Sequence, residues 1–248
     1  MSSIHQTKGI VLRTVKYGET SLVVSIFTEL FGVQQYMVNG VRTSKKNASI
    51  SSAQLQPGNL LELVVYHNDK QTLQRIKEAK HSTQLFNDQS SITKNAVLLF
   101  MMELLQNCLK QPDAHPALFY FLEDILHGLH TSDESQVANL PLFFTIHLSH
   151  FFGFRLMDNY SQEKNILDLL EGQFVSNAPL HQMLIHHPLS EKVAQLLRVM
   201  QINELDEIRM NKQQRNQLLD ELLNFYALHI HPFGKLKSLS VIRTVLEN

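Results

Sequence analysis

Of the 248 residues only Cys108 is a cysteine, and none is tryptophan. A single thiol excludes an intramolecular disulfide and any multi-cysteine zinc site. With no indole and only 8% aromatic residues, a surface that stacks rings must use Phe, Tyr or His. The apolar runs break well short of the ~18 residues that a membrane span requires. The opening MSSIHQTKG holds no apolar signal-peptide core. Net charge is nearly absent too, at −1, and the 44% hydrophobic content is too high for a disordered chain. A folded, soluble, cytoplasmic protein of one large or two modest domains is expected. Several catalytic signatures are missing: no phosphate-cradling glycine loop, no Gly-x-Ser-x-Gly elbow, no His-Glu-x-x-His helix.

What is present divides the chain in two. Residues 1–80 hold ten Lys/Arg against five Asp/Glu, a charge of +5; the remaining 12 basic and 18 acidic residues give −6. Such asymmetry points to different partners for the two parts, with the first suited to a polyanion. A mildly basic surface with no ligand is the alternative that charge alone leaves open. In the first part, KGIVLRTVKYG (8–18), SLVVSIFTE (21–29), VQQYMVNG (33–40), QPGNLLELVVYHND (56–69) and QTLQRIKEAK (71–80) alternate around β-branched residues and are separated by turn residues. Five short strands at even spacing favour a small barrel. Beyond residue 85 the period becomes helical, with helices expected at 91–110, 115–129, 137–154, 189–201, 212–229 and 238–247 and Ser238 as an N-cap. The fold class is therefore α+β: a five-stranded OB-fold barrel over 1–80, then an all-α helical domain over 81–248.

Chemistry could lie in three places. The thirteen histidines include the close pairs His147/His150, His186/His187 and His229/His231, but no regularly spaced carboxylates accompany them. Packed or exposed histidines are the better reading than a metal site, and no cofactor is expected. Cys108 lies in a very apolar helix, as a small buried hydrophobe does. The barrel offers more, because single-strand-binding OB-folds pair cations along a phosphate path with rings that stack on bases. The cations are Lys8, Arg13, Lys16, Arg42, Lys45, Lys46, Lys70, Arg75 and Lys77, and the candidate stacking rings are Tyr17, Tyr36 and Tyr66. No base-reading code is visible, so binding indifferent to sequence is expected.

GIVLRTVKYGETSLVVSIFTELFG (9–32), VNGVRTSKK (38–46), LQPGNLLELVVYH (55–67), LQRIKEAK (73–80) and LLNFYALHIHPFGKLKSLSVIRTVL (222–246) together resemble the bacterial RecO family of recombination mediators. The resemblance implies a DNA repair protein and not an enzyme in the turnover sense. It would bind single- and double-stranded DNA, anneal complementary strands, and with RecR help load RecA onto DNA coated by single-strand-binding protein. It further implies a nucleoid-associated cytoplasmic location, and binding of the C-terminal tail of the coating protein by the helical domain. Arg42, Lys45 and Lys46 fall in the family's basic loop and Arg13 and Lys16 on and beside its first strand, so the DNA-contact role is carried to these. Arg155 and Arg198 are basic residues in the domain that would hold the tail. Many family members carry two Cys-x-x-Cys pairs in that domain, holding a structural zinc; here FFGFRLMDNYSQEKNILDLLEGQF (151–174) has no cysteine. Local packing must replace the metal, with Phe151, Phe152, Phe154, Leu167, Leu169, Leu170 and Phe174 available.

Annealing needs a cationic surface that offsets the repulsion between two phosphate backbones. The barrel face is expected to hold one strand while a flexible 42–53 loop, RTSKKNASISSA, reaches the second. The competing readings are an OB-fold RNA-binding adaptor and a histidine-based metal hydrolase.

Overall fold

The computed structural model describes residues 2–41, 50–82 and 91–246. Two compact units form, Met1–Ser91 with Met102–His130, and Ile92–Met101 with Thr131–Asn248. The barrel consists of β1 (Ser3–Tyr17), β2 (Ser21–Thr28), β3 (Gly32–Val38), β4 (Leu60–His67) and β5 (Leu73–His81), closed in the order β1-β2-β3-β5-β4. The five expected strands are all present, with ends shifted by a few residues.

β1 makes closure possible because it serves two neighbours. Ser3 to Ile10 pair with β4, and Gly9 to Tyr17 pair with β2. At the crossing stands Gly9, where a Cβ would lie 2.6 Å from Ile26 Cγ2 and 2.8 Å from Leu63 Cδ1. A bulge follows between Val11 and Arg13, and the extra residue resets which side chains point outward. The parallel pairing of β3 with β5, at Gln35 to Met37 against Leu73 to Arg75, completes the ring.

Val11, Val24, Ile26, Leu61, Leu63 and Val65 fill the interior, with Ile50 and Leu55 from the segment before β4 packed into the same cluster. Asn59 Nδ2 donates to the carbonyls of Ala53 and Gln54, and Thr14 Oγ1 donates to that of Leu55 at 2.6 Å, fixing this segment to the barrel. The expected flexible arm over 42–53 is therefore corrected at its C-terminal end. A fully buried Leu55 and a buried Ile50 anchor the chain around 50–53, while 42–49 lie outside the described residues.

Tyr36 also belongs to this interior at 0% exposure, and its hydroxyl has no hydrogen-bond partner among the described residues. Burial pushes the phenol above its ordinary pKa. An unpaired buried hydroxyl costs about 1–3 kcal/mol. Tyr36→Phe, which removes the group and keeps the ring, should raise stability by about 1 kcal/mol and Tm by about 2–4 °C. A lowered Tm in calorimetry would show that the hydroxyl is satisfied.

The first unit does not end with the barrel, so its compact boundary differs from the 80/81 division expected above. It takes in the end of α1 (Ile92–Cys108) and nearly all of α2 (Pro116–Thr131). α2 covers part of the barrel wall: Phe119 packs against Phe27 with ring centroids 5.9 Å apart, and Tyr120 donates its hydroxyl to Glu29 Oε1. The physical reason is that Ile10, Phe27 and Leu60 are fully or almost fully buried in a strand region whose other side is already the barrel interior. A wall apolar on both faces needs a cover.

The second unit is built around α3 (Glu134–Leu148), whose residues from Val137 to Leu148 are almost all buried. Asp133 and Gln136 form a capping box at its start, and a 3-10 turn (Ser149–Phe152) carries it to Gly153, which closes the element at φ +82. α4 (Leu189–Arg198), α5 (Lys212–His229) and α6 (Ser238–Val245) complete the helices. Tyr226 of α5 donates to the Thr145 carbonyl at 2.6 Å. Ser238 is the first residue of α6 and not its N-cap; Lys237 precedes it in αR geometry without a side-chain cap.

The cysteine-free region adds something that an all-α expectation omits. β6 (Ile166–Asp168), β7 (Gln173–Val175) and β8 (Leu184–Ile185) form a small antiparallel sheet in the order β7-β6-β8. Leu167, Leu169 and Phe174 are buried there, whereas Leu170 is exposed. Asn159 brackets Phe174, donating from Nδ2 to its carbonyl and accepting at Oδ1 from its N–H. Phe154 packs elsewhere, stacked on His229 at 5.0 Å. Apolar packing and paired amides thus hold this segment.

Candidate nucleic-acid interface

Strand register decides which cations share a surface. After the bulge, Arg13 stands opposite Ser25, Ser25 opposite Gln35, and Gln35 beside Leu73. The next row runs Val15, Val23, Met37, Arg75 and Tyr66. Tyr36, Gln74 and Val24 are buried at the alternate positions, so these two rows face outward. Arg13 on β1 and Arg75 on β5 are both exposed on the outer surface of the barrel, in adjacent rows. Neither has an ion-pair partner among the described residues.

Lys16 lies elsewhere. It pairs with Leu22, which pairs with Val38 at the end of β3, so it stands at the rim where β3 leaves the barrel. Its side chain is exposed because β1 extends beyond the filled interior. Residues 42–49 begin just past this rim, and Arg42, Lys45 and Lys46 lie outside the described residues. Lys70 is exposed in the β4–β5 turn and Lys77 on β5.

Lys8 differs from all of these. Its Nζ sits 2.8 Å from Glu123 Oε1 of α2, and this hydrogen bond, opposed by burial, raises the ammonium above its ordinary pKa. The side chain is 39% exposed, but its charge already has a partner. A phosphate there would have to compete with Glu123.

Of the three candidate rings, Tyr17 and Tyr66 are exposed, at 59% and 37%. Tyr36 is inside the barrel and cannot meet a base: it pairs with Val24 at an inward register position. Gln35 and Ser25, by contrast, join the outward rows, with Gln35 Nε2 donating to Ser25 Oγ at 3.0 Å. Composition gives such residues no prominence; only the pairing register brings them beside Arg13.

The histidine pairs differ in setting: His186, His187, His229 and His231 are exposed, whereas His147 is half-buried. His147 lies 3.2 Å from the Leu196 carbonyl through Nε2 and 4.3 Å from the Phe143 ring; burial lowers its pKa and that of His150. His187 lies 3.4 Å from Glu191. Among the described residues no group of three or more His, Cys, Asp or Glu could hold a metal ion. Cys108 is buried, and burial raises its thiol pKa, which suits a packed side chain. Of the two basic residues of the helical domain singled out above, Arg198 is held by Asp158 through two 2.9 Å hydrogen bonds. Arg155 is exposed.

Comparison with known families accounts for both parts of the chain. Residues 1–84 match the N-terminal model of recombination protein O and residues 89–240 its C-terminal model. The chain belongs to the RecO family. It is 32% identical to the DNA repair protein RecO of Flavobacterium psychrophilum, across 97% of this chain and 98% of that protein. It is 31% identical to the DNA repair protein RecO of Bacteroides fragilis and 28% to that of Azobacteroides pseudotrichonymphae, in each case across 98% of this chain and all of the relative. The OB-fold barrel followed by a helical region is the architecture of this RecO-family chain. Among the described residues no helix is long and apolar enough to cross a membrane.

Proposed function

We propose that the chain is a DNA repair and recombination mediator that binds single- and double-stranded DNA and anneals complementary strands. With RecR it helps load RecA onto DNA coated by single-strand-binding protein, whose C-terminal tail its helical domain engages. The observation that carries this reading is the outward pair of strand rows, with Arg13 and Arg75 unpaired among the described residues and Tyr66 exposed beside Arg75. Membership of the RecO family supports reading that surface as the one that meets DNA. Cations without acidic partners give their full charge to a phosphate, and exposed rings offer bases a face.

No bond need be made or broken. Two strands held on one cationic surface repel less and meet more often, which is sufficient for annealing. Arg13, Lys16 and Arg75 hold the first strand, and Arg42, Lys45 and Lys46 meet the phosphates of the second. Lys8 is reserved to Glu123 unless the backbone displaces it.

The test is binding to a single-stranded oligonucleotide over a range of salt. Each lost phosphate contact flattens the log–log salt slope by about 0.7, so Lys45→Ala/Lys46→Ala should flatten it by about 1.4. Adding Arg13→Ala and Arg75→Ala should about double that change. An unaltered slope in both variants refutes the assignment of these cations. Annealing of pre-coated strands, with and without the tail of the coating protein, tests the mediator step.

A further inference from the structure

Beside Arg13 the outer barrel face carries a groove of about 270 Å³. Val23, Val33 and Leu109 supply aliphatic side chains to its lining, and Arg13, Ser25, Gln35 and Gln106 supply polar ones. Leu109 and Gln106 come from the end of α1 and the residue after it, which belong to the same compact unit as the barrel. Resting on the strand-binding reading above, we propose that this groove receives one unpaired base of a DNA strand.

Size sets the first limit. Pockets for drug-sized ligands run from about 300 to 1,000 Å³, so this one suits a single flat ring system and not a larger ligand. Aliphatic side chains on the walls remove the faces of such a ring from water. The unused hydrogen-bonding capacity supplies the second argument. Gln35 spends its Nε2 on Ser25 Oγ, leaving its Oε1 and the serine O–H open. Gln106 is half-buried, and its amide has no partner among the described residues. Donors and acceptors carried on both sides of an apolar slot can meet the polar edge of any base, which gives retention without a sequence code.

Charge selects nucleic acid over a protein side chain as the occupant. Arg13 lines the groove, and Lys16 and Arg75 stand on the same barrel, each unpaired among the described residues. A base entering the groove brings its own phosphate to Arg13. A paired base cannot enter, because its polar edge is occupied and its faces are stacked. The groove therefore favours single strands over duplex, and it would hold a strand open for pairing.

Fluorescence anisotropy on the full chain tests this with two labelled oligonucleotides of equal length, one of thymidines and one abasic at every position. Phosphate count is equal, so any preference comes from bases. The thymidine strand should bind about tenfold more tightly, the lower part of the range for one sheltered base. Ser25→Phe fills the groove from an outward position and should cut that preference to the part that the exposed rings Tyr17 and Tyr66 supply, leaving abasic affinity and salt slope as they were. Gln106→Leu, which alters no barrel strand, should reduce the preference and serves if Ser25→Phe lowers the melting temperature. Equal affinity for the two strands, or a preference that survives undiminished in both variants, overturns the groove while strand binding stands. If the unaltered chain binds neither strand, the strand-binding reading fails and the groove fails with it.

Discussion

Gly32→Ala is expected to destabilise the first unit by about 3 kcal/mol or more, among the larger effects available to one methyl group. Gly32 has φ +61, in the left-handed region, where a Cβ alone costs roughly 1–2 kcal/mol. Here the added carbon would also stand 2.1 Å from the Asp113 carbonyl oxygen and 2.2 Å from that of Pro112. Both obstacles are backbone atoms, so no rotamer change relieves the contact. Either the β2–β3 turn or the segment between α1 and α2 must move, and with it the packing of Phe119 on Phe27. Gly18→Ala is the control, since Gly18 has φ +60 and, among the described residues, nothing within 4 Å of its ideal Cβ. Urea unfolding of the two variants separates backbone conformation from close approach. Equal losses would mean that residues 112–113 do not lie against the turn.

That contact also shows where sequence reading stops. Alternation of β-branched residues reveals the five strands, because a pleated surface buried on one face imposes period two. The same pattern does not say which face is inside. VQQYMV places Val33, Gln35 and Met37 on one side and Gln34, Tyr36 and Val38 on the other, with comparable polarity. Tyr36 therefore reads as a stacking ring as readily as Tyr17 does, and only closure of the barrel buries it. The bulge at Leu12 is equally silent in the sequence, yet it sets the outward register of Arg13 and Val15.

Long-range pairing explains the other differences. Lys8 reads as a free cation because Glu123 lies 115 residues away along the chain. The three strands of the cysteine-free region are three, three and two residues long, shorter than any periodic signal. The helices were legible because each of α1 to α5 spans ten residues or more, long enough for its apolar pattern to register. For the interface, the family resemblance and the cation positions were legible. The outward glutamines and the groove depend on pairing partners that no local pattern names.

Asn139→Asp should be the most damaging isosteric change in the second unit, and its cost should grow with pH. Asn139 is 3% exposed on α3, and its Nδ2 donates to the carbonyls of Leu205 and Ile208 at 2.9 and 2.8 Å. Its Oδ1 has no partner among the described residues. The amide orientation follows from its neighbours: the flipped form would set oxygen against two carbonyl oxygens. Aspartate cannot avoid that arrangement when ionised. Burial and the facing carbonyls both disfavour the anion, so the folded-state pKa of the new acid must rise above its unfolded value of about 3.9. Below that value both states are protonated, and the variant loses little more than one hydrogen bond, about 1 kcal/mol. As pH rises the unfolded chain ionises first, so stability falls until the folded-state pKa is passed and is level beyond it. At neutral pH a loss of about 3–5 kcal/mol is expected, as for an uncompensated buried charge. Asn139→Ala removes both donors without adding a charge, so its loss should be smaller at neutral pH and should not grow with pH as the aspartate's does. Melting curves between pH 4 and pH 8 distinguish the two. A penalty for aspartate that does not grow with pH would mean that the side chain reaches water, and that α3 is not tied to the 202–208 turn through this amide.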